Sequence, residues 1–222
     1  MNDQITQDAM QSSQSSALAT SKVLSNTYFL LGMTLVWSAI VAGTAMVMNL
    51  PHPGLIITLV GFYGLLFMIE KNKESSLGLL FTFLLTGFMG YTLGPILNMY
   101  ISAGLEGAIV TALGGTALTF VSCSIYALTT KRDLSFLGGM LTAGVFAIIA
   151  MMIANIFLQI PILGLAISGM FVLFSTAAIL YTTQSIIRGG ETNYISATVT
   201  LYVSIYNLFL SLLSLLGIMN DD

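Results

Sequence analysis

The chain has 222 residues, of which 56% are hydrophobic and 7% are charged, and its mean hydropathy is +0.95. A soluble domain carries about a quarter of its residues as Asp, Glu, Lys or Arg, so this chain cannot build a water-facing surface and is predicted to lie in lipid. Its formal net charge of −3 excludes the broad basic face that nucleic acid requires.

The N-terminal segment 1–26 is rich in Gln, Ser and Thr, and its charged residues are Asp3, Asp8 and Lys22. A secretory signal peptide has a basic start, a short apolar run and a small-residue cleavage site, and none of these precedes the first long apolar stretch. We therefore predict that residues 1–26 form a flexible tail.

Seven apolar segments follow the tail, and crossing about 30 Å of hydrocarbon takes roughly 20 helical residues. Backbone groups in lipid must be hydrogen-bonded within their own segment, so these runs are predicted to be helices; spanning strands would be about ten residues long and alternating. The predicted fold class is an all-α polytopic bundle of seven transmembrane helices, forming one domain over 27–218 with a periplasmic tail at 219–222. The predicted spans are 27–48, 55–70, 77–97, 107–129, 135–158, 162–187 and 194–218.

Turn signals mark the breaks between these spans, namely Pro-His-Pro-Gly at 51–54, Gly94-Pro95, Pro161 and Gly189-Gly190. The basic residues all fall on one side of the predicted membrane. The positive-inside rule makes that side cytoplasmic, which places the N-terminus inside and the C-terminus outside. The six basic residues are Lys22, Lys71, Lys73, Lys131, Arg132 and Arg188.

No catalytic, cofactor or metal site is predicted, and the chain is not expected to be an enzyme. His52, the only histidine, lies in a Pro-His-Pro turn, and Cys123, the only cysteine, lies within an apolar segment. One histidine and one cysteine away from acidic clusters leave no metal site. The spans also contain no histidine for a serine protease and no buried acidic relay for a proton-driven transporter.

The seventh segment carries a polar stripe at Thr200, Ser204, Asn207, Ser211 and Ser214. The spacing of 4, 3, 4 and 3 residues places these side chains on one helical face. Two interpretations are open: the stripe holds helices together by hydrogen bonds, or it lines a hydrated cavity at the bundle centre. Both interpretations predict that the seventh helix is central.

The third predicted helix carries a Gly90-x-x-x-Gly94 motif, which permits close approach of another helix. Packing within the chain is the favoured interpretation, and dimerisation through this face is the alternative.

Four strings carry a family resemblance: Leu-Gly-Pro-Ile-Leu-Asn-Met-Tyr (93–100), Asp-Leu-Ser-Phe-Leu-Gly-Gly-Met-Leu (133–141), Gly-Gly-Glu-Thr-Asn-Tyr-Ile (189–195) and Leu-Tyr-Val-Ser-Ile-Tyr-Asn-Leu-Phe (201–209). With them the chain resembles the YccA-type bacterial branch of the Bax inhibitor-one family from about Lys22 onward. The resemblance implies a seven-helix bundle whose last helix is enclosed by the other six.

Many members of this family are described as calcium-leak proteins gated by two aspartates, one on helix six and one on helix seven. The matching positions here are Thr182 and Ser204, and neither side chain titrates near neutral pH. Because the aspartate pair is absent, a passive Ca²⁺ leak channel is the alternative function rather than the main one. Its path would run along Thr200, Ser204, Asn207 and Ser211.

For the YccA branch, the resemblance implies association with the membrane protease FtsH, and with its membrane-bound regulators, and modulation of its proteolysis of membrane proteins. It also implies a multi-pass location in the bacterial inner membrane, with the lipid bilayer and FtsH as partners and no nucleic acid. A polar cytoplasmic tail at 1–26 suits a protease that grips an unstructured terminus. The alternative is that the tail is a free, unengaged end.

Overall fold

The computed structural model describes residues 2–219, with side chains for 18–160 and 162–218. This part of the chain folds into seven α-helices, and each is long and apolar enough to cross a membrane. The predicted all-α class and the seven spans are thereby confirmed. The helices are α1 (Asn2–Val47), α2 (Leu55–Asn72), α3 (Ser76–Ser102), α4 (Glu106–Thr129), α5 (Phe136–Leu158), α6 (Pro161–Ile187) and α7 (Tyr194–Met219).

The first helix differs most from its predicted span. Its membrane-length part is Leu18–Val47 rather than 27–48, and helical backbone continues to Asn2, through the segment predicted as a tail. The flexibility of that tail and its cytoplasmic location stay predictions. Of the predicted periplasmic tail 219–222, positions 220–222 lie outside the described residues.

The expected break at Gly94-Pro95 is wrong, because α3 continues through Pro95 to Ser102. Proline removes one backbone donor, but within a membrane bundle neighbouring groups tolerate this loss and the apolar segment stays helical. The chain turns instead at Gly104, whose φ of 74° suits glycine. Gly54, directly before α2, and Gly189, just after α6, also have positive φ values, of 85° and 73°.

The last helix lies at the centre of the bundle, as predicted. It packs against α1, α2, α3, α4 and α6, and buries Leu201, Tyr202 and Leu208. Among the described residues, α5 packs only against α6, so five helices rather than six touch α7 directly. A cavity separates α5 from α7, and this gap leaves room for a site beside the central helix.

The three connections that carry basic residues gather at one end of the bundle. Arg188 Nη1 lies 3.0 Å from the Asp133 carboxylate, which joins the α6–α7 and α4–α5 connections. Asn193 Nδ2 donates to the Lys73 carbonyl at 3.0 Å, which joins the α6–α7 and α2–α3 connections. We call this the basic end of the bundle; its cytoplasmic orientation stays a prediction.

Candidate functional site

A polar cavity lies beside α7 toward the basic end of the bundle. We call it the α6–α7 cavity; its volume is about 410 Å³, and Thr200, Ser204 and Asn207 of the predicted stripe line it. Ser185 and Glu191, near the end of α6 and the start of α7, also line it. One part of the stripe therefore faces a cavity, as one of the two interpretations expected.

The structure brings together the two positions that match the family's aspartate pair. Thr182 of α6 and Ser204 of α7 both line the α6–α7 cavity and are each 6% exposed. The Ser204 hydroxyl donates to the Thr200 carbonyl at 2.7 Å, within its own helix. Glu191 is the carboxylate among the lining side chains that the structure describes. A lone carboxylate with neutral hydroxyls is a poor set of ligands for Ca²⁺, which takes six to eight oxygens and favours charged ones.

One hydroxyl in this cavity is left without a partner. Ser175 is fully buried, and its Oγ has no hydrogen-bond partner among the described residues. A buried hydroxyl without a protein partner is commonly satisfied by water. The α6–α7 cavity is thus suited to water rather than to a bare cation.

At the other end of the stripe a side chain holds two helices together, which is the other of the two interpretations. Ser168 Oγ of α6 donates to Ser214 Oγ of α7 at 3.1 Å, a direct bond between helices. Ser211 is 7% exposed within the packed part of α7. The stripe is therefore divided: its first half faces a cavity, and Ser214 links helices. Any functional role of these side chains stays a prediction.

Two tyrosines that the sequence analysis did not single out form further polar contacts of α7. Tyr202 OH shares a 2.6 Å hydrogen bond with Ser38 Oγ of α1 and donates to the Thr86 carbonyl of α3 at 3.2 Å. Tyr206 OH lies 2.9 Å from Thr92 Oγ1 of α3. The signal was the four-residue spacing of the tyrosines, which places both on one face.

Side-chain hydrogen bonds also hold α1 in the bundle. Tyr28 OH donates to Ser124 Oγ of α4 at 3.0 Å and lies 3.3 Å from Thr183 Oγ1 of α6. Trp37 Nε1 donates to the Phe83 carbonyl of α3 at 3.0 Å. Together with Ser38, these side chains connect α1 to α3, α4, α6 and α7. Thr198 of α7 and Asn98 of α3 donate further bonds to the Thr27 and Met46 carbonyls of α1. We call all of these hydrogen bonds together the α1 anchor.

The glycine motif of α3 packs against α1. A Cβ atom on Gly94 would lie 2.6 Å from the Cβ of Ala45, and one on Gly87 would lie 2.7 Å from Trp37 Nε1. A Cβ on Gly90 would clash with the Ser38 carbonyl. The favoured interpretation, packing within the chain, accounts for this face, which is covered by α1 rather than open to a second copy.

At the basic end, the α4–α5 connection is tied to α6. Buried Gln184 donates from Nε2 to the Arg132 carbonyl at 2.8 Å, and its Oε1 accepts the Leu134 amide at 2.7 Å. The hydroxyl and amide of Ser135, and then Arg188, hold the pKa of Asp133 below its usual range. These contacts give Gln184 a structural role.

Seven membrane-length helices around a polar central helix, with no cluster of metal-ligating residues in the part of the chain described, define a polytopic membrane bundle protein. The family model described as "Inhibitor of apoptosis-promoting Bax1" matches residues 20–221. The chain belongs to this family, which confirms the resemblance drawn from the four strings.

Similar proteins cover almost the whole chain. A protein of Escherichia coli (strain K12) named "Modulator of FtsH protease YccA" is 58% identical over 209 residues, covering 94% of this chain and 95% of the relative. "Uncharacterized protein PM0402" of Pasteurella multocida is 57% identical, over 89% of this chain and 90% of its own length. "Uncharacterized protein PA2604" of Pseudomonas aeruginosa is 54% identical, over 91% of each.

Proposed function

We propose that this chain is a regulatory protein of the bacterial inner membrane that associates with FtsH and modulates its proteolysis of membrane proteins. The observation that carries the proposal is 58% identity, over 94% of the chain, to a protein named as a modulator of that protease. A relative of the same identity in another E. coli strain is named "Inner membrane protein YccA". We propose action by binding rather than by catalysis, since the names of these two relatives describe a modulator and a membrane protein.

The placement of α1 supports a mechanism for this modulation. A protease that grips the N-terminal segment and pulls would load the membrane-length part of α1 before any other helix, because that segment continues into it as one helix without a break. The α1 anchor would resist that force: Thr198 Oγ1 of α7 donates to the Thr27 carbonyl at 3.2 Å, and Asn98 Nδ2 of α3 donates to the Met46 carbonyl at 2.9 Å. We infer that slow extraction of α1 keeps the protease occupied.

Two measurements on the full-length chain test the proposal. Affinity purification in mild detergent should recover FtsH, identified by mass spectrometry, and expression of the chain should slow degradation of a second membrane substrate. Deleting residues 1–17, which precede the membrane-length part of α1, should abolish that inhibition while leaving the bundle in the membrane. Deleting 220–222 from the other end is the control and should change nothing. Recovery without FtsH would refute the association, and full inhibition without 1–17 would refute the role of the tail.

The alternative function, a passive Ca²⁺ leak, receives no comparable support. Both positions of the aspartate pair are neutral, and the Ser204 hydroxyl is already engaged by its own helix. Measurements of Ca²⁺ flux into liposomes that contain the protein discriminate between the two functions.

A further inference from the structure

An open groove lies on the side of the bundle between α2 and α5. Helix α2 packs on α3 and α7, α5 packs on α6, and the two do not touch each other over the ranges described. The space between them has a volume of about 490 Å³. We call it the α2–α5 groove; Leu59 and Phe62 of α2 and Ile148 and Met152 of α5 form its walls, and Met89 of α3 lies at its floor.

The walls of the groove are mostly apolar, apart from Thr58 of α2, and polar side chains lie at its two ends. His52, in the α1–α2 connection, lines the end away from the basic residues, and Asn207 of α7 lines the inner end. Along α5 the lining runs from Val145 to Met152, about 10 Å at 1.5 Å per residue. One leaflet contributes about 15 Å of hydrocarbon, half of the total thickness. The groove therefore runs along a single leaflet, from its interface toward the middle of the bilayer.

We propose that the α2–α5 groove binds one acyl chain of a phospholipid, with the phosphate of the headgroup beside His52. Both walls belong to helices whose outer faces are exposed to the bilayer: Ile57 of α2 is 59% exposed and Phe146 of α5 is 70% exposed. A groove that opens sideways into lipid is filled by lipid, because an empty apolar space loses dispersion contacts along its lining.

Water fits the groove less well than an acyl chain. Water needs two to four polar partners at each position, whereas most of the lining is apolar and the Thr58 and Thr92 hydroxyls already donate to nearby carbonyls of the backbone. An acyl chain is apolar along its length and needs a polar partner only at the headgroup.

His52 provides that polar partner at the interface. Its Nδ1 accepts the backbone N–H of Gly54 at 3.0 Å, which leaves Nε2 as the nitrogen that can donate to a phosphate oxygen. Lys22 lies within α1, near the start of its membrane-length part, and the other five lysine and arginine residues lie in the connections of the basic end or in the last turn of α2. Nε2 of His52 is thus a donor at this end of the bundle from which a phosphate oxygen can accept a hydrogen bond.

Native mass spectrometry of the full-length protein, with phosphatidylglycerol added in mild detergent, tests the proposal. We expect one tightly bound lipid per chain. Ile149→Trp places a large ring in the groove and should weaken the affinity for the lipid by about fifteenfold, the loss expected when two methylene groups are no longer buried. Ile125→Trp, on the lipid-facing side of α4, is the matched control and should bind like the unaltered protein.

A second variant separates the headgroup from the acyl chain. His52→Ala should weaken binding of phosphatidylglycerol by about fivefold, because one hydrogen bond to the phosphate is lost. His52 lies outside the helices, so this variant tests the proposed lipid site even if Ile149→Trp does not fold. Equal lipid binding by the unaltered protein, Ile149→Trp and His52→Ala would overturn the proposal, as would a bound second copy of the chain in place of lipid.

Discussion

Replacing Tyr28 with phenylalanine removes one hydroxyl from the α1 anchor and keeps the ring that packs on Phe120. The lost hydroxyl contacts Ser124 of α4 and Thr183 of α6, both buried. Interhelical hydrogen bonds in membranes contribute about 0.6 kcal/mol each, so the two contacts together contribute about 1.2 kcal/mol. The equilibrium constant for unfolding should therefore be about eightfold larger for the variant.

Two assays measure the consequence. Unfolding of the purified protein in bicelles, followed by trapping of the separated helices, should show the eightfold change in the equilibrium constant. Degradation by FtsH in proteoliposomes should become faster for the variant by a similar factor or less, because extraction must break the same contacts. Tyr126→Phe, whose exposed ring lies on α4, is the matched control and should leave both measurements unchanged.

One combination of results would contradict the proposed role of α1 in slowing extraction. If Tyr28→Phe lowers the free energy of unfolding as expected but FtsH degrades it at the original rate, the detachment of α1 does not limit extraction. The mechanism proposed for modulation would then be wrong, although the association with FtsH would be unaffected.

Three further predictions concern packing, pH and conduction. Gly94→Val should lower the free energy of unfolding by about 1–3 kcal/mol, because its side chain meets Ala45 of α1. Gly114→Val, at a glycine of α4 with open space around it, should fall well short of that loss in the same assay. Asp133→Asn should destabilise the protein at neutral pH, because the pKa of this carboxyl is lowered in the folded state by Ser135 and Arg188. That contribution is present above the unfolded pKa and disappears as pH falls through the folded pKa, so unfolding curves of the two proteins should converge in acid. Liposomes containing the protein should show no Ca²⁺ flux at pH 6 or pH 8; a steady flux would restore the channel hypothesis.

Hydropathy and charge predicted most of the fold because both depend on single residues in a known medium. Transfer into lipid marks seven apolar segments, and the distribution of basic residues predicted that the connections carrying Lys73 and Arg188 lie at the same end of the bundle. The signal at Gly94-Pro95 misled because turn propensities measured in water count less in a bilayer, where the backbone must remain hydrogen-bonded. At this position α3 stays helical and Gly94 serves helix packing instead.

The candidate site was only partly predictable. Helical spacing put Thr200 and Ser204 on one face, and the structure places both beside the same cavity. The same spacing could not say that Ser214 would instead meet a hydroxyl of α6, since that depends on how closely the two helices approach. Tyr202 was missed because its ring resembles core residues, while its hydroxyl finds partners on two other helices only after packing.

The connections of α1 imply that it cannot leave the bundle alone. Among the residues whose side chains are described, six side-chain hydrogen bonds join it to α3, α4, α6 and α7. At about 0.6 kcal/mol each they contribute about 3.6 kcal/mol, a factor of roughly 400 in an equilibrium constant. Tyr202 adds cooperativity, because one hydroxyl joins Ser38 of α1 and the Thr86 carbonyl of α3 to the central helix. Pulling on α1 therefore loads α7, which packs on four other helices as well. A helix such as α5, which packs on α6 alone among the described elements, would offer a pulling protease far less resistance. Resistance to extraction is therefore concentrated at α1, which is the first helix that a protease pulling from the N-terminus would load.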